Sequence, residues 1–80
     1  MNNIGIKEFS LREILSNNIK EFRKNNNFSQ EYFADLCGLH RTYIGSVERC
    51  ERNVTLNTLE VFASVLNVTV PSILTYTRDN

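Results

Sequence analysis

The chain lacks most of the residue types that would mark a secreted, fibrous or metal-built protein. It has two cysteines in 80 residues, too few for a disulfide scaffold, and Cys37 and Cys50 form no CxxC pair, so both are expected as reduced thiols. Cys37, His40 and Cys50 do not complete the four ligands of a closed zinc site, and no metal or other cofactor is expected. His40 is the single histidine; without a nucleophile and an orienting acid arranged around it, an enzyme is not expected. One proline, three glycines, 41% hydrophobic and 22% charged residues are an ordinary globular composition that argues against wholesale disorder. No apolar run approaches the ~20 residues of a membrane span. The first nine residues lack the basic start and apolar centre of a signal peptide, so a cytoplasmic protein without membrane contact is expected. Nine Lys and Arg balance nine Asp and Glu, so bulk charge does not announce nucleic acid. Local clusters matter more than totals for phosphate affinity, and Arg41, Arg49 and Arg52 form one, diluted by Glu48 and Glu51.

What is present is helical patterning. A chain of this length forms one domain and buries only roughly 60 to 65% of its unfolded surface. Residues 1–9 are polar, with isolated Ile4, Ile6 and Phe9, and are expected to form a loosely held arm. Ser10 with Glu13 is a capping box that starts a first helix. Leu11, Ile14, Leu15, Ile19 and Phe22 share one face of that helix, and the run Asn25, Asn26, Asn27 stops it, since asparagine tolerates a left-handed cap. Ser29 caps a second helix with Tyr32, Phe33, Leu36 and Cys37 as its inner stripe, ended by Gly38. A third helix starts near His40 or Arg41, runs to about Arg49 and buries Ile44 and Val47; the missing side chain of Gly45 leaves room for a close approach. Thr55 caps a fourth, with Leu56, Leu59, Phe62, Ala63 and Leu66 inward and Asn67 at its end. Pro71 suits the first turn of a short fifth helix containing Ile73 and Leu74. The expected architecture is all-α, a compact five-helix bundle, with a domain over residues 10–76 and a tail over 77–80.

Residues 28–53 read as helix, glycine-containing turn and second helix, the layout of a helix-turn-helix whose second helix can enter the major groove. An arginine at the start of such a helix has a planar fork able to bond guanine O6 and N7 together, worth about 1 to 3 kcal/mol of discrimination. Arg41 is therefore the first candidate base reader. Thr42 offers a hydroxyl and a methyl, Tyr43 can span from backbone to base, and Ser46 is expected one turn further along the same face. Gln30, in the first turn of the second helix, can face a phosphate. His40 suits a cap or phosphate contact. Arg49, Arg52 and Asn53, just after the third helix, are candidates to anchor phosphates or reach toward the centre of a DNA site, weighed against a merely charged surface loop.

These segments resemble the lambda-repressor-like helix-turn-helix regulators of the Cro/C1 or Xre type, across about Leu15 to Leu74. SQEYFADLCGL is similar to the family's first motif helix and turn. RTYIGSVERCERN followed by TLNTLEVFASVLNV most resembles the controller proteins of restriction-modification systems. Cys50 stands where many relatives have glycine, and Phe33 where they have leucine. The resemblance implies a backbone contact for Gln30 and for the loop with Arg49, Arg52 and Asn53, and a structural ion pair between Glu48 and Arg23 on the first helix.

One helix contacts only a few base pairs, so a homodimer on a palindromic operator is expected, with half-sites about 34 to 36 Å apart or a multiple of that. Val61, Val65, Val68, Val70, Ile73, Leu74 and Tyr76 are the candidate dimer surface, and the resemblance also implies pairing through the last helices. They could equally close the monomer's own core. The expected function is a sequence-specific transcription regulator that binds double-stranded operator DNA. Exposed acids such as Glu31 or Asp35 are available to RNA polymerase. A phage-type repressor, or a protein-interaction module such as an antitoxin subunit, would share nearly all these residues.

Overall fold

The computed structural model describes residues 9–77. Five helices follow one another: α1 (Leu11–Asn25), α2 (Gln30–Cys37), α3 (Arg41–Glu48), α4 (Leu56–Leu66) and α5 (Val70–Ile73). Each starts on a residue whose side chain can accept a backbone N–H: Ser10, Ser29, His40, Thr55 and Thr69. At Ser10 the bond is reciprocal, because Glu13 Oε1 accepts the Ser10 N–H at 2.8 Å while Ser10 Oγ accepts that of Glu13 at 3.1 Å. Such caps satisfy donors that a helix leaves without intrahelical partners, and they matter most where helices are only two turns long.

The four longer helices end alike. One or two residues past each end the chain enters the left-handed region, at Asn27, Gly38, Cys50 and Asn67. The N–H that follows then donates back into the last turn, Phe28 to Arg23 O, Leu39 to Ala34 O, Glu51 to Ser46 O and Val68 to Ala63 O. This closure normally drops an apolar residue onto the core just beyond the helix. Phe28, Leu39 and Val68 do so, but Glu51 does not. Cys50 is also the one residue of the four that is neither glycine nor asparagine, and it holds φ at 65°.

Phe33, Phe62, Ile19, Ile44 and Ile73 have no exposed surface and join Leu15, Ala34, Val47, Leu59, Ala63 and Leu66 in one core shared by all five helices. The Phe33 and Phe62 rings meet at 5.5 Å between centroids, so a phenylalanine at position 33 joins α2 to α4 directly. Asn18, buried on α1, donates to the carbonyls of Ile73 and Thr75 at 2.8 and 2.9 Å. That polar fastening of the last helix has no apolar periodicity to reveal it.

Four residues expected inward point outward. Leu11 and Leu56 are 62% and 76% exposed. Each is the first residue of its helix, and a side chain there tilts back toward the N-terminus, beyond the packed layer. Tyr32 and Leu36 are 51% and 44% exposed, because Phe33 and Ala34, with Cys37, already fill the buried face of the short α2. Of the expected arm, residues 1–8 lie outside the described residues, as do 78–80 of the tail. Phe9 stacks on Tyr76 at 5.1 Å between centroids.

A β-carbon in the left-handed region costs roughly 1 to 2 kcal/mol. Cys50→Gly should therefore raise stability by about 0.5 to 1 kcal/mol after the extra chain entropy of glycine is subtracted. Cys50→Val should lower it, since a branched β-carbon is worse still in that conformation. Urea unfolding of the three proteins measures both, and a destabilised glycine variant would show that packing of the cysteine side chain outweighs its backbone strain.

Candidate nucleic-acid interface

α2, its turn and α3 form a rigid corner against α1 and α4. Gly38, at φ 71°, turns the chain, Leu39 packs on the core, and His40 Nδ1 accepts the Thr42 N–H at 3.1 Å to start α3. Arg41 and Thr42 are exposed, while Ile44 and Val47 are buried. Among the described residues, Arg41 donates a side-chain hydrogen bond to none, so its fork is free to meet something outside the chain. Tyr43 is half-buried against the core.

Glu48, at the last turn of α3, joins three elements. Arg23 Nε on α1 donates to its Oε2 at 2.6 Å and Arg23 Nη2 to its Oε1 at 3.0 Å. Gln30 Nε2, from the first turn of α2, donates to the same Oε1 at 2.9 Å. Arg23 Nη1 meanwhile donates to the Phe28 carbonyl at 2.8 Å. The acid and the arginine retain only 4% and 11% of their side-chain surface, so the bidentate pair is well desolvated and both carboxylate oxygens are satisfied. Gln30, expected as a free phosphate contact, thus has one of its amide protons engaged inside the corner.

The segment after α3 carries the remaining candidates. Arg49 forks onto Glu51, with Nε to Oε2 at 3.0 Å and Nη2 to Oε1 at 3.2 Å. That hydrogen bond holds the Glu51 carboxyl below its ordinary range and raises the Arg49 guanidinium further. Both side chains are more than half exposed, so the pair is screened and contributes little to stability. The absent side chain of Gly45 makes space for Arg49: a β-carbon there would sit 3.1 Å from Nη1. Arg52 Nε donates to Ser46 Oγ at 3.0 Å, and its guanidinium lies 5.7 Å from the centre of the Tyr43 ring. Asn53 Oδ1 accepts from Arg12 Nη1 at 3.3 Å, a contact that sequence spacing gave no means of finding.

Two expectations are corrected. Ser46 is only 4% exposed, so it does not share the outer face of Arg41 and Thr42. The chain after α3 folds back over it, and its hydroxyl is occupied by Tyr43 O and Arg52. Ile73 is fully buried and belongs to the core of the single chain rather than to a dimer surface. Val61, Val65, Val70, Leu74 and Tyr76 are half-buried. Beside them, exposed Leu11 and Leu56 flank a groove of about 260 Å³ with Leu15, Val54, Leu59 and Leu74.

The Cys37 thiol is pushed up to about 11 by burial, which keeps it protonated near neutrality. Among the described residues, no group of three or more His, Cys, Asp or Glu side chains could hold a metal ion, and no helix is long and apolar enough to cross a membrane.

Comparison with known proteins agrees with this geometry. Residues 19–73 match the helix-turn-helix family model. The chain is 58% identical to control protein C.SmaI of Serratia marcescens over 65 residues, 81% of this chain and 77% of that one. The crystal structure of the hypothetical transcription factor NHTF from Neisseria superposes with a TM-score of 0.83 at 39% identity, over 86% of this chain and 79% of that one. The restriction-modification controller protein C.Esp1396I, solved as a tetramer in complex with its natural 35 base-pair operator, superposes with a TM-score of 0.73 at 34% identity, over 81% of this chain and 86% of that one.

Removing one partner of a buried ion pair strands the other, at a cost of roughly 3 to 5 kcal/mol. Arg23→Ala and Glu48→Ala should each destabilise by about that much, and the double variant should lose far less than their sum. Chemical denaturation of the four proteins completes the cycle; additive losses would mean that the contact contributes nothing of its own.

Proposed function

The chain belongs to the Cro/C1-type helix-turn-helix family, and from that premise we propose that it is a sequence-specific transcription regulator that binds a palindromic operator as a homodimer. The observation that carries this reading is the exposed first turn of α3, with the free fork of Arg41 on a helix braced from behind by Glu48. An α-helix with its side chains is about 10 to 12 Å across, which fits the ~12 Å width of the major groove. Arg41 and Thr42 meet base edges there, and Tyr43 contributes its exposed edge. His40, Arg49, Arg52 and Asn53 contact the DNA backbone, with Gln30 acting through its brace on Glu48 and through the N-terminal amides of α2.

Likeness to C.SmaI and to the operator-bound controller C.Esp1396I supports the more specific reading, the controller of a restriction-modification operon acting in the cytoplasm. It is not a catalyst. Residues 10–76 carry both DNA binding and dimerisation, the second through Val61, Val65, Val70, Leu74 and Tyr76. Glu31 and Asp35, exposed on α2, provide an acidic surface for RNA polymerase.

Binding-site selection from a random duplex library should recover a palindrome with the wild type. With Arg41→Ala it should lose preference at one base pair in each half-site while non-specific binding persists, because phosphate contacts carry no sequence information. Unchanged preferences would remove Arg41 from the readers. A salt titration separates DNA recognition from a protein-docking role, since DNA affinity falls steeply with ionic strength through counterion release. Leu74→Glu should weaken the dimer in sedimentation while the chain stays folded; Ile73→Glu should unfold it, since it places a charge in the core.

A further inference from the structure

We infer that Ser46 is the positioning residue of Arg52, and that it presets the Arg52 guanidinium as a donor fork for acceptor oxygens or nitrogens of the duplex on the side beyond the end of α3. The inference rests on the DNA-binding reading of the preceding subsection. Its starting point is a buried hydroxyl with two polar neighbours: Ser46 Oγ lies 2.7 Å from the Tyr43 carbonyl and 3.0 Å from Arg52 Nε. The direction of each bond is fixed by chemistry. A carbonyl can only accept, so the hydroxyl proton goes to Tyr43; a guanidinium can only donate, so Arg52 gives its Nε proton to the lone pairs that remain.

The Tyr43 ring supplies the second constraint, since the guanidinium stands 5.7 Å from its centre and gains from the negative face of the ring. The contacts at Nε and on the Tyr43 ring hold the guanidinium without using its terminal nitrogens. Among the described residues neither Nη1 nor Nη2 of Arg52 donates to a side chain or backbone carbonyl. Arg49, by contrast, has its fork closed on Glu51. An exposed arginine ordinarily loses much rotamer freedom when it is captured. Arg52 has surrendered that freedom before any partner arrives, which lowers the ordering cost of binding. A planar fork held in this way suits two acceptors side by side, as on a phosphate or a guanine edge.

The test is a double-mutant cycle on the duplex recovered by the wild type from a random library. Arg52→Ala should weaken binding about tenfold or more and Ser46→Ala about three- to tenfold. The double variant should bind no more weakly than Arg52→Ala alone. In an Arg52→Lys background, which keeps the charge but has no Nε to donate, Ser46→Ala should change nothing. Selection with Arg52→Ala tells the two acceptors apart: loss of preference at one position marks a base, and a uniform loss marks a phosphate.

A readout without DNA tests the seat itself. The Nε proton of Arg52 should exchange slowly with water in the wild type and quickly in Ser46→Ala, in NMR spectra of the free protein, while the melting temperature stays level or rises because alanine favours helix. Additive losses in the cycle, unchanged binding by Arg52→Ala or unchanged exchange would overturn the proposal alone. A wild type that binds no duplex would overturn the reading of the site and this proposal with it.

Discussion

Everything that presents α3 depends on the carboxylate of Glu48. An isolated eight-residue helix is not stable in water, because nucleation is costly and too few bonds follow it. α3 exists because tertiary contacts hold it: Ile44 and Val47 fix which face meets the core, and Glu48 ties its last turn to two other helices. The Glu48 carboxylate accepts three hydrogen bonds, from Arg23 Nε and Nη2 and from Gln30 Nε2, on two different helices, and the guanidinium extends the tie to the Phe28 carbonyl. A hydrophobic substitute of similar volume could match the stability of such a pair, but it could not fix an angle. For a helix that must place a fork within a few tenths of an ångström of a base edge, the angle is the property that matters.

Much of the fold was legible because its punctuation is local. Ser10 with Glu13, Ser29 and Thr55 are caps whose chemistry acts within three residues, and Gly38 and Asn67 are stops for an equally local reason. The errors fall where a longer-range fact decides. Leu11 and Leu56 satisfy helical periodicity, but being first in their helices they overhang the core. Ile73 looks like surplus apolar surface at the end of the chain, yet Asn18 draws α5 down onto α1 by its backbone carbonyl, and no spacing rule connects positions 18 and 73. Ser46 lies one turn from Thr42, and on a free-standing helix the two would share a face. The left-handed residue at Cys50 turns the chain back so that Arg52 covers the second half of α3, and its outer face narrows to the first turn.

Within the interface the same limit applies. Residue types single out Arg41, Thr42 and the arginines after α3 as candidates, because a fork at the start of a helix and a basic loop are compositional signals. They could not assign each arginine a partner. Arg23, Arg49 and Arg52 all face oxygen acceptors in the folded chain, and only the structure separates a buried carboxylate at Glu48, an exposed one at Glu51 and a hydroxyl at Ser46. These three partners give three different properties. The first arginine is structural, the second has its charge offset, and the third keeps its terminal donors.

That distribution gives meaning to a net charge of zero. A strongly basic protein binds any duplex through its phosphates, and genomic DNA then competes with the intended site at very many positions. Here Glu51 offsets Arg49 in the loop after α3, so the non-specific attraction of that loop for phosphates is weak at the start. In the proposed complex, affinity comes instead from groups set in advance, Arg41 on a braced helix and Arg52 in its seat, and from doubling both sets in a dimer. The effective concentration gained by linking two weak readers multiplies their affinity only when both half-sites fit the spacing that the dimer imposes. A neutral chain with rigid forks therefore favours discrimination over raw attraction, which is the balance a regulator of one operator requires.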